Sequence, residues 1–159
     1  MDAILASPAD EGTVELVVRR PAVDEREVLD EGLLDPDTGL VGDRYAGAPE
    51  RQLTLMNARV IGLVAGERAR WALAGDQLYV DLDLSPDNLP PGTRLAAGTA
   101  VIEVTDELHT GCVKFTERFG SAAIRLVNSR EGRARRMRGM YARVVEAGRV
   151  RPGDAIQKI

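Results

Sequence analysis

The chain has 159 residues, a length that fits one globular domain able to bury a core. Its hydrophobic fraction of 44% and charged fraction of 29% exclude a disordered chain, and its net charge of −4 gives no general attraction to nucleic acid. No apolar run reaches the roughly 20 residues that a membrane span needs, and the N-terminus lacks the features of a signal peptide. One cysteine excludes a disulfide framework, so we expect the reducing cytoplasm as the location of the protein. From the length, we expect a single domain over residues 1–159.

The first half of the chain favours short strands. Residues 12–19 are rich in β-branched side chains and bounded by Gly and Pro, which predicts a strand. Residues 41–45 lie in a turn-rich stretch and are expected to form a loop. Residues 52–56 predict a short buried strand, after which Asn57 is expected to cap a helix. The apolar positions of that helix are Val60, Ile61, Val64 and Ala65.

The second half alternates strands with turns. Residues 77–82 predict a strand, residues 85–92 break any helix, and residues 99–105 form the strongest strand pattern. Helical spacing follows the cysteine, at Phe115, Phe119, Ala122, Ala123 and Leu126, with Gly120 as an interruption. Two further strands are predicted at residues 140–146 and 154–158. The sequence therefore predicts a mostly β chain with peripheral helices, folded as a closed or nearly closed β-barrel.

Cys112 is the only cysteine and lies just beyond the predicted strand at 99–105. A glycine precedes it, His109 stands three residues before it and Lys114 two residues after it, and these surroundings favour a thiolate. A thiolate can carry sulfur or bind a soft metal. The alternatives are that Cys112 packs in the core and that His109 only hydrogen-bonds a loop. The position in a glycine-containing turn favours a catalytic group of Cys112, His109 and Lys114.

Seven arginines lie between residues 125 and 143, against Glu131 as the only acidic residue there. Such a run is either a solvated face or an anion site, for which the planar guanidinium is well suited. The segment leads from the helix after Cys112 back into the strand at 140–146. If an anion binds beside the thiol, its expected contacts are Arg133, Arg136 and Arg138.

The order of several short motifs is more specific than any one of them. The motifs are Gly-Leu-Val-Gly-Asp-Arg at 39–44, Arg-Gln-Leu-Thr-Leu-Met at 51–56, Asp-Leu-Ser-Pro-Asp-Asn-Leu at 83–89, Leu-Ala-Ala-Gly-Thr-Ala-Val-Ile-Glu-Val at 95–104 with Gly-Cys-Val-Lys at 111–114, and residues 138–145 with 150–154. Together they resemble the MOSC family, named after the C-terminal domain of molybdenum cofactor sulfurases. The resemblance covers about residues 10–159.

The resemblance implies a β-barrel-like MOSC fold and a role in molybdenum cofactor or sulfur chemistry, with Cys112 as the reactive group. It also implies that polar turns form the walls of a cofactor site, at Asp43, Arg44, Arg51 and Asn88. The alternative for Asp43 and Asn88 is that they bond turn backbone. The family commonly has a histidine after its Gly-Asp-Arg, where this chain has Tyr45.

Three function classes stay open at this point. In the first, Cys112 carries a persulfide that a pyridoxal phosphate-dependent cysteine desulfurase supplies and that a metal centre receives. In the second, Cys112 is the molybdenum ligand of a bound molybdenum cofactor (molybdopterin), and the protein reduces N-hydroxylated compounds with electrons from a partner. The third is a non-catalytic module that binds a small-molecule ligand. No pyridoxal phosphate is expected in this chain, because none of its lysines stands in a Schiff-base setting.

Overall fold

The strands fall in three groups along the chain: one group lies between the first two α-helices, one between the second and the third, and one after the last. The computed structural model describes residues 1–45 and 47–159. The strands of these residues are β1 (Glu11–Arg19), β2 (Glu27–Val28), β3 (Gly32–Asp35), β4 (Gly39–Leu40), β5 (Leu53–Asn57), β6 (Leu78–Asp81), β7 (Arg94–Ala97), β8 (Ala100–Val104), β9 (Met140–Glu146), β10 (Gly148–Val150) and β11 (Ala155–Lys158). The α-helices are α1 (Asp2–Leu5), α2 (Ala58–Ala65), α3 (Val113–Phe119), α4 (Ser121–Asn128) and α5 (Arg130–Ala134). Short 3-10 helices occupy Pro49–Arg51 and Arg68–Ala74.

A closed barrel forms the centre of the molecule. Its strand order is β11-β7-β8-β9-β5-β6-β1, and β1 pairs back onto β11 with Gly12 opposite Ile156. The pairing of β5 with β6 is parallel, and the other barrel pairings are antiparallel. A smaller sheet, β10-β3-β4, lies beside the barrel. The prediction of a β-barrel with peripheral helices is confirmed.

Two hydrophobic cores share the strands β5 and β6. Successive side chains of a strand point to opposite faces. Leu78 and Val80 belong to the cluster of strand residues that fills the barrel, whereas Tyr79 between them belongs to the cluster under the helices. Leu55 and Met56 divide in the same way. Both faces of these strands are therefore buried, which explains why apolar residues occupy consecutive positions in them, as at 55–56 and 78–80.

The helix after β5 begins as predicted. The Oδ1 atom of Asn57 accepts hydrogen bonds from the backbone N–H groups of Arg59 and Val60 at 2.8 and 3.0 Å. Its Nδ2 atom donates to the carbonyl of Leu82 at 2.8 Å, which ties the start of α2 to the end of β6. The side chain therefore caps the helix and fixes its position on the barrel at the same time.

The helical segment after Cys112 is divided at Gly120. Its φ of 91° ends α3 at Phe119 and starts α4 at Ser121, so the spacing at 115–126 corresponds to two helices that meet at an angle. A positive φ of this size is favourable for glycine alone. None of the helices in the described residues has the length and apolar character that a membrane span requires.

Candidate active site

A cavity of about 450 Å³ lies between the end of the barrel and α3, and Cys112 is part of its wall. The wall is strongly cationic: it contains Lys114 and no Asp or Glu side chain among the described residues. Six arginines complete the positive lining, namely Arg20, Arg26, Arg44, Arg51, Arg118 and Arg138. The aromatic groups of Tyr45, His109, Phe115 and Tyr141 also line the cavity. The cavity is therefore suited to a polyanionic ligand.

Cys112 is held at the edge of this cavity by a clamped loop. The thiol is free and exposed, and the residue stands directly before α3. The side-chain oxygen of Asn128 accepts from the Gly111 amide at 2.8 Å, and its nitrogen donates to the Gly111 carbonyl at 3.2 Å. At the other end of the loop, the Thr105 hydroxyl donates to the Glu50 carbonyl at 2.6 Å. The thiol therefore stands on a fixed segment and remains accessible.

His109 lies in the wall as a neutral ring. Its imidazole packs on Tyr141 with 4.6 Å between the ring centroids. Burial, reinforced by the positive charge of Arg138, lowers the pKa of His109 to about 4. The imidazole is therefore uncharged at neutral pH. The positive charge near the thiol comes from Lys114 and the arginines, and His109 adds none.

Lys114 shares an acidic partner with Arg118. The Nζ atom of Lys114 is 3.5 Å from the Oδ1 atom of Asp24, and Arg118 contacts the same oxygen at 3.1 Å. A second guanidinium nitrogen of Arg118 donates to the Leu73 carbonyl at 2.9 Å. One exposed carboxylate thus serves two cations, so their combined charge is only half compensated.

Asp43 supports the cavity from behind. It accepts two hydrogen bonds from the Arg20 guanidinium at 3.1 and 2.8 Å, one from the Arg20 amide at 2.8 Å and one from the Tyr45 amide at 3.1 Å. Burial alone would raise the pKa of Asp43, but these contacts with Arg20 outweigh it and hold the pKa below its usual value. Asp43 does not line the cavity with Cys112; it positions Arg20, which does.

Arg138 is the most deeply buried cation of the wall. Its side chain is 8% exposed and forms a 2.8 Å ion pair with the fully buried Asp76, while a second nitrogen donates to the Ala74 carbonyl at 3.0 Å. The guanidinium lies 5.0 Å from the centroid of Phe115. Its Nε atom and the second oxygen of Asp76 are buried without a hydrogen-bond partner in the described part of the chain.

Gly139 is what allows this buried group to form. With a φ of 118°, it occupies backbone space that other residues avoid. A Cβ atom there would stand 2.5 Å from the Leu55 carbonyl oxygen, 3.3 Å from an oxygen of Asp76 and 3.4 Å from Nδ1 of His109. Because Gly139 has no side chain, the carboxylate of Asp76 and the imidazole of His109 can both lie close to its Cα atom.

Two arginines of the wall have no carboxylate partner in the described chain. Arg26 donates instead to the carbonyls of Ala72 at 3.1 Å and Glu25 at 2.9 Å. Burial lowers the pKa of Arg26, and the nearby charge of Arg118 lowers it further. Arg44 is exposed and forms no ion pair with the described residues. These two guanidiniums are the least compensated charges around the cavity.

Of the remaining predicted arginines, one lines the cavity and two do not. Arg51 lies in the wall, pairs with Glu107 at 3.2 Å and stands over the ring of Tyr141. Arg136 is outside the wall and donates to the carbonyls of Leu84 and Leu89 at 3.1 and 2.8 Å. Arg133 is exposed and also outside it.

Asn88 does not line the cavity either. Its side chain donates to the carbonyls of Ala9 at 2.8 Å and Asp83 at 2.7 Å, and thus closes a turn. The structure therefore groups Arg44, Arg51 and Arg138 with Cys112, His109 and Lys114. It adds three cations that sequence reasoning missed, Arg20, Arg26 and Arg118. Nothing in their local sequence distinguishes them, because only the fold brings them to one cavity.

Comparison with known proteins decides the family. The sequence pattern of the MOSC domain matches residues 42–157, which includes Cys112, Arg44, Arg51 and Arg138. The chain belongs to the MOSC domain family. Among curated proteins, no sequence matches this MOSC chain closely enough to count as a relative.

Solved structures share the fold of this MOSC protein at low sequence identity. YuaD from Bacillus subtilis is 19% identical, with a TM-score of 0.69 over 93% of this chain and 95% of that chain. YiiM from Escherichia coli is 19% identical, with a TM-score of 0.61 over 92% of this chain and 69% of that chain. YiiM from Geobacillus stearothermophilus is 14% identical, with a TM-score of 0.59 over 93% and 73%. At these identities the likeness concerns the fold alone.

Proposed function

We propose that this MOSC protein binds the molybdenum cofactor in the cationic cavity, with the Cys112 thiolate as a ligand of the metal, and acts as a reductase of N-hydroxylated compounds. The observation that carries the proposal is the convergence of six arginines and Lys114 on the cavity that holds the only thiol. A thiol that only passes sulfur to a partner needs access but no such concentration of positive charge. A bound phosphate-bearing cofactor does need it.

The residues present fit such a cofactor. Thiolate is a soft ligand of the kind that molybdenum takes, and guanidinium groups bind phosphate oxygens through paired hydrogen bonds. The positive charges of Arg26 and Arg44 are available to a phosphate group, because no described carboxylate neutralises them. The buried Nε–H of Arg138 has no acceptor in the described chain, so an oxygen of a ligand would satisfy it.

Each part of the cavity then has a separate task. The cofactor, when bound, supplies the two-electron chemistry that converts an N–OH group to N–H with uptake of two protons and release of water. Cys112 fixes the position of the metal, and the arginines hold the anionic part of the ligand. The neutral ring of His109 and the phenol of Tyr45 offer uncharged hydrogen-bonding groups to a substrate. Electrons come from a partner protein.

The experiment is a measurement of molybdenum and pterin in protein purified from a cofactor-producing host. We expect stoichiometric molybdenum in the wild type, strong loss in Cys112→Ser and reduced content in Arg44→Gln. Arg149→Gln is the matched control, because it removes an exposed arginine outside the cavity. Wild-type protein without molybdenum and pterin would reject the proposal.

The exposure of Cys112 favours a second candidate function, the transfer of sulfur as a persulfide. A desulfurase partner could reach the thiol from solvent, and the sulfur would leave by attack of an acceptor on the persulfide. This function predicts a mass increment of one sulfur on Cys112 after incubation with a cysteine desulfurase and cysteine. If neither molybdenum nor the sulfur adduct is found, the third class, a non-catalytic binding module, gains support.

A further inference from the structure

The cavity around Cys112 carries more positive charge than its ion pairs neutralise. The carboxylates that pair with its cations in the described chain are Asp24, Asp43, Asp76 and Glu107. Four carboxylates thus face seven cations. A small molecule with more than one negative group is the class of ligand that such a cavity attracts from solution.

A separate observation also indicates an anionic ligand. Arg138 is 7% exposed, lines the cavity and uses two guanidinium nitrogens on Asp76 and Ala74. Its third nitrogen, Nε, is buried without an acceptor in the described residues. Buried N–H groups are normally paired, so this one favours a ligand oxygen near the thiol.

Cys112 is the group of the cavity that can form a disulfide bond to such a ligand. It is free, exposed and the only cysteine of the chain, so a disulfide cannot form within one molecule. The thiolate is the attacking species in disulfide exchange, and the Cys112 thiol shares the cavity wall with six arginines and Lys114. The same charges draw an anionic disulfide to the thiolate and repel a cationic one.

We propose that Cys112 is a site of reversible mixed-disulfide formation with anionic low-molecular-weight thiols, of which glutathione is the type. The Cys112 thiolate attacks one sulfur of oxidised glutathione and forms a new S–S bond to it. The original S–S bond breaks, and the second glutathione leaves as a thiolate that takes up a proton from water. Cys112 is oxidised, and the disulfide is reduced by the same two electrons.

The cavity has the space and the contacts for the adduct. Its volume of about 450 Å³ lies within the range of small-molecule sites. Among its cations, Arg26 and Arg118 are anchored on carbonyls of the 3-10 helix Arg68–Ala74, and Arg51 is anchored on Glu107. The two carboxylates of a glutathionyl group can pair with guanidinium groups of this wall. The adduct would fill the cavity and block the sulfur atom of Cys112. Oxidation of the low-molecular-weight thiols would therefore close the cavity to other ligands.

The test compares three disulfides that differ in charge: oxidised glutathione, neutral 2-hydroxyethyl disulfide and cationic cystamine. The second-order rate constant of each is followed by intact mass and divided by that of the same disulfide with the urea-unfolded chain, which removes differences in intrinsic reactivity. We expect the normalised constant for oxidised glutathione to exceed that for cystamine by at least about tenfold. Added salt should reduce this ratio, because it screens the charges at the cavity mouth.

Variants separate the cavity from the general charge of the protein. Arg44→Gln and Arg26→Gln should slow the reaction with oxidised glutathione severalfold and leave 2-hydroxyethyl disulfide unaffected. Arg149→Gln, outside the cavity, should change neither. Equal normalised constants for the three disulfides would overturn the inference, and so would an equal loss in Arg149→Gln. If the preference for oxidised glutathione is found but the purified protein contains no molybdenum, the proposed function is rejected and this inference stands.

Discussion

Cys112 depends for its chemistry on residues that are distant in the sequence. The local motif contributes the thiol and Lys114, whereas the strongest concentration of charge comes from arginines between residues 20 and 138. His109, the nearest titratable neighbour upstream, is kept neutral by burial and by Arg138. The electrostatic environment of the thiol is thus a property of the folded cavity.

The depressed pKa of His109 leads to a direct prediction. His109 is the only histidine, so its imidazole signals can be followed without overlap by NMR. We expect a titration midpoint near pH 4 in the folded protein, because burial and Arg138 disfavour the charged ring. A midpoint near 6.5 would show that the ring is solvated and that the wall is arranged differently.

The same shift has a consequence for stability. The unfolded chain binds a proton at His109 below about pH 6.5, whereas the folded protein binds it only below about 4. The contribution of the neutral ring is therefore complete above pH 6.5 and is lost as the pH falls towards 4. It amounts to at most about 3 kcal/mol. Urea unfolding from pH 7 to pH 4 should show this loss in the wild type and a smaller one in His109→Asn.

The buried pair of Arg138 and Asp76 should be costly to break. Asp76→Ala would leave a guanidinium buried without its carboxylate, and we expect a loss of roughly 3–5 kcal/mol in the free energy of unfolding. Glu131→Ala is the matched control, because Glu131 pairs with Arg135 on an exposed helix surface. Its loss should stay below about 0.5 kcal/mol. Equal losses in urea unfolding would contradict the buried network.

Among the elements, α4 has an indirect role in the site. Its last residue, Asn128, holds Gly111 by two hydrogen bonds directly before Cys112. Asn128→Ala should release the loop, which would raise the hydrogen exchange rate of the Gly111 amide and cost about 1–2 kcal/mol of stability. Asn88→Ala removes a similar side-chain clamp outside the cavity and should leave the Gly111 amide protected. Equal exchange in both variants would contradict this role.

The sequence predicts strands correctly where a β-strand pattern of apolar and β-branched residues continues over several positions. The strands expected at 12–19, 77–82 and 140–146 correspond to β1, β6 and β9. The sequence does not predict the strands β2, β3, β4, β7 and β10, because their two to four residues include Gly, Ala, Asp or Glu, which disfavour strands, and because each is defined by its pairing partner. The sequence pattern predicts only an arginine-rich run at the short helix α5, whose five residues are too few for a helical periodicity and whose start is capped by Ser129.

Site residues, too, could be predicted only where the sequence itself places them together. The local group of Cys112, His109 and Lys114 could be predicted, because the residues are close in sequence. Arg20, Arg26 and Arg118 could not, because in sequence each resembles an ordinary surface arginine. Arg136 was expected near an anion, but the fold places its guanidinium on the carbonyls of Leu84 and Leu89.

At the scale of the whole molecule, the barrel depends on its last strand. β11 pairs with both β1 and β7, and its Ile156 is fully buried. Ile156→Ala should destabilise the protein by about 2–5 kcal/mol, because it opens a cavity at the seam of the barrel. Gln157→Ala changes the exposed neighbour and should cost less than about 0.5 kcal/mol. Similar unfolding curves for the two variants would argue against a closed barrel.

The distribution of charge over the molecule also matters for function. The chain has a net charge of −4, yet its main cavity is lined by seven cations and by no acidic side chain among the described residues. Such a contrast directs anions to one place on an otherwise acidic protein. It suits a ligand that carries more than one negative group.

The most direct test of the central claim is X-ray absorption at the molybdenum edge of protein purified with its cofactor. If the Cys112 thiolate binds the metal in the cationic cavity, the wild type will show one more sulfur neighbour of molybdenum than Cys112→Ser reloaded with the same cofactor. Identical sulfur coordination in the two proteins would contradict the account, because the thiol would then stand beside the cavity without contacting the metal.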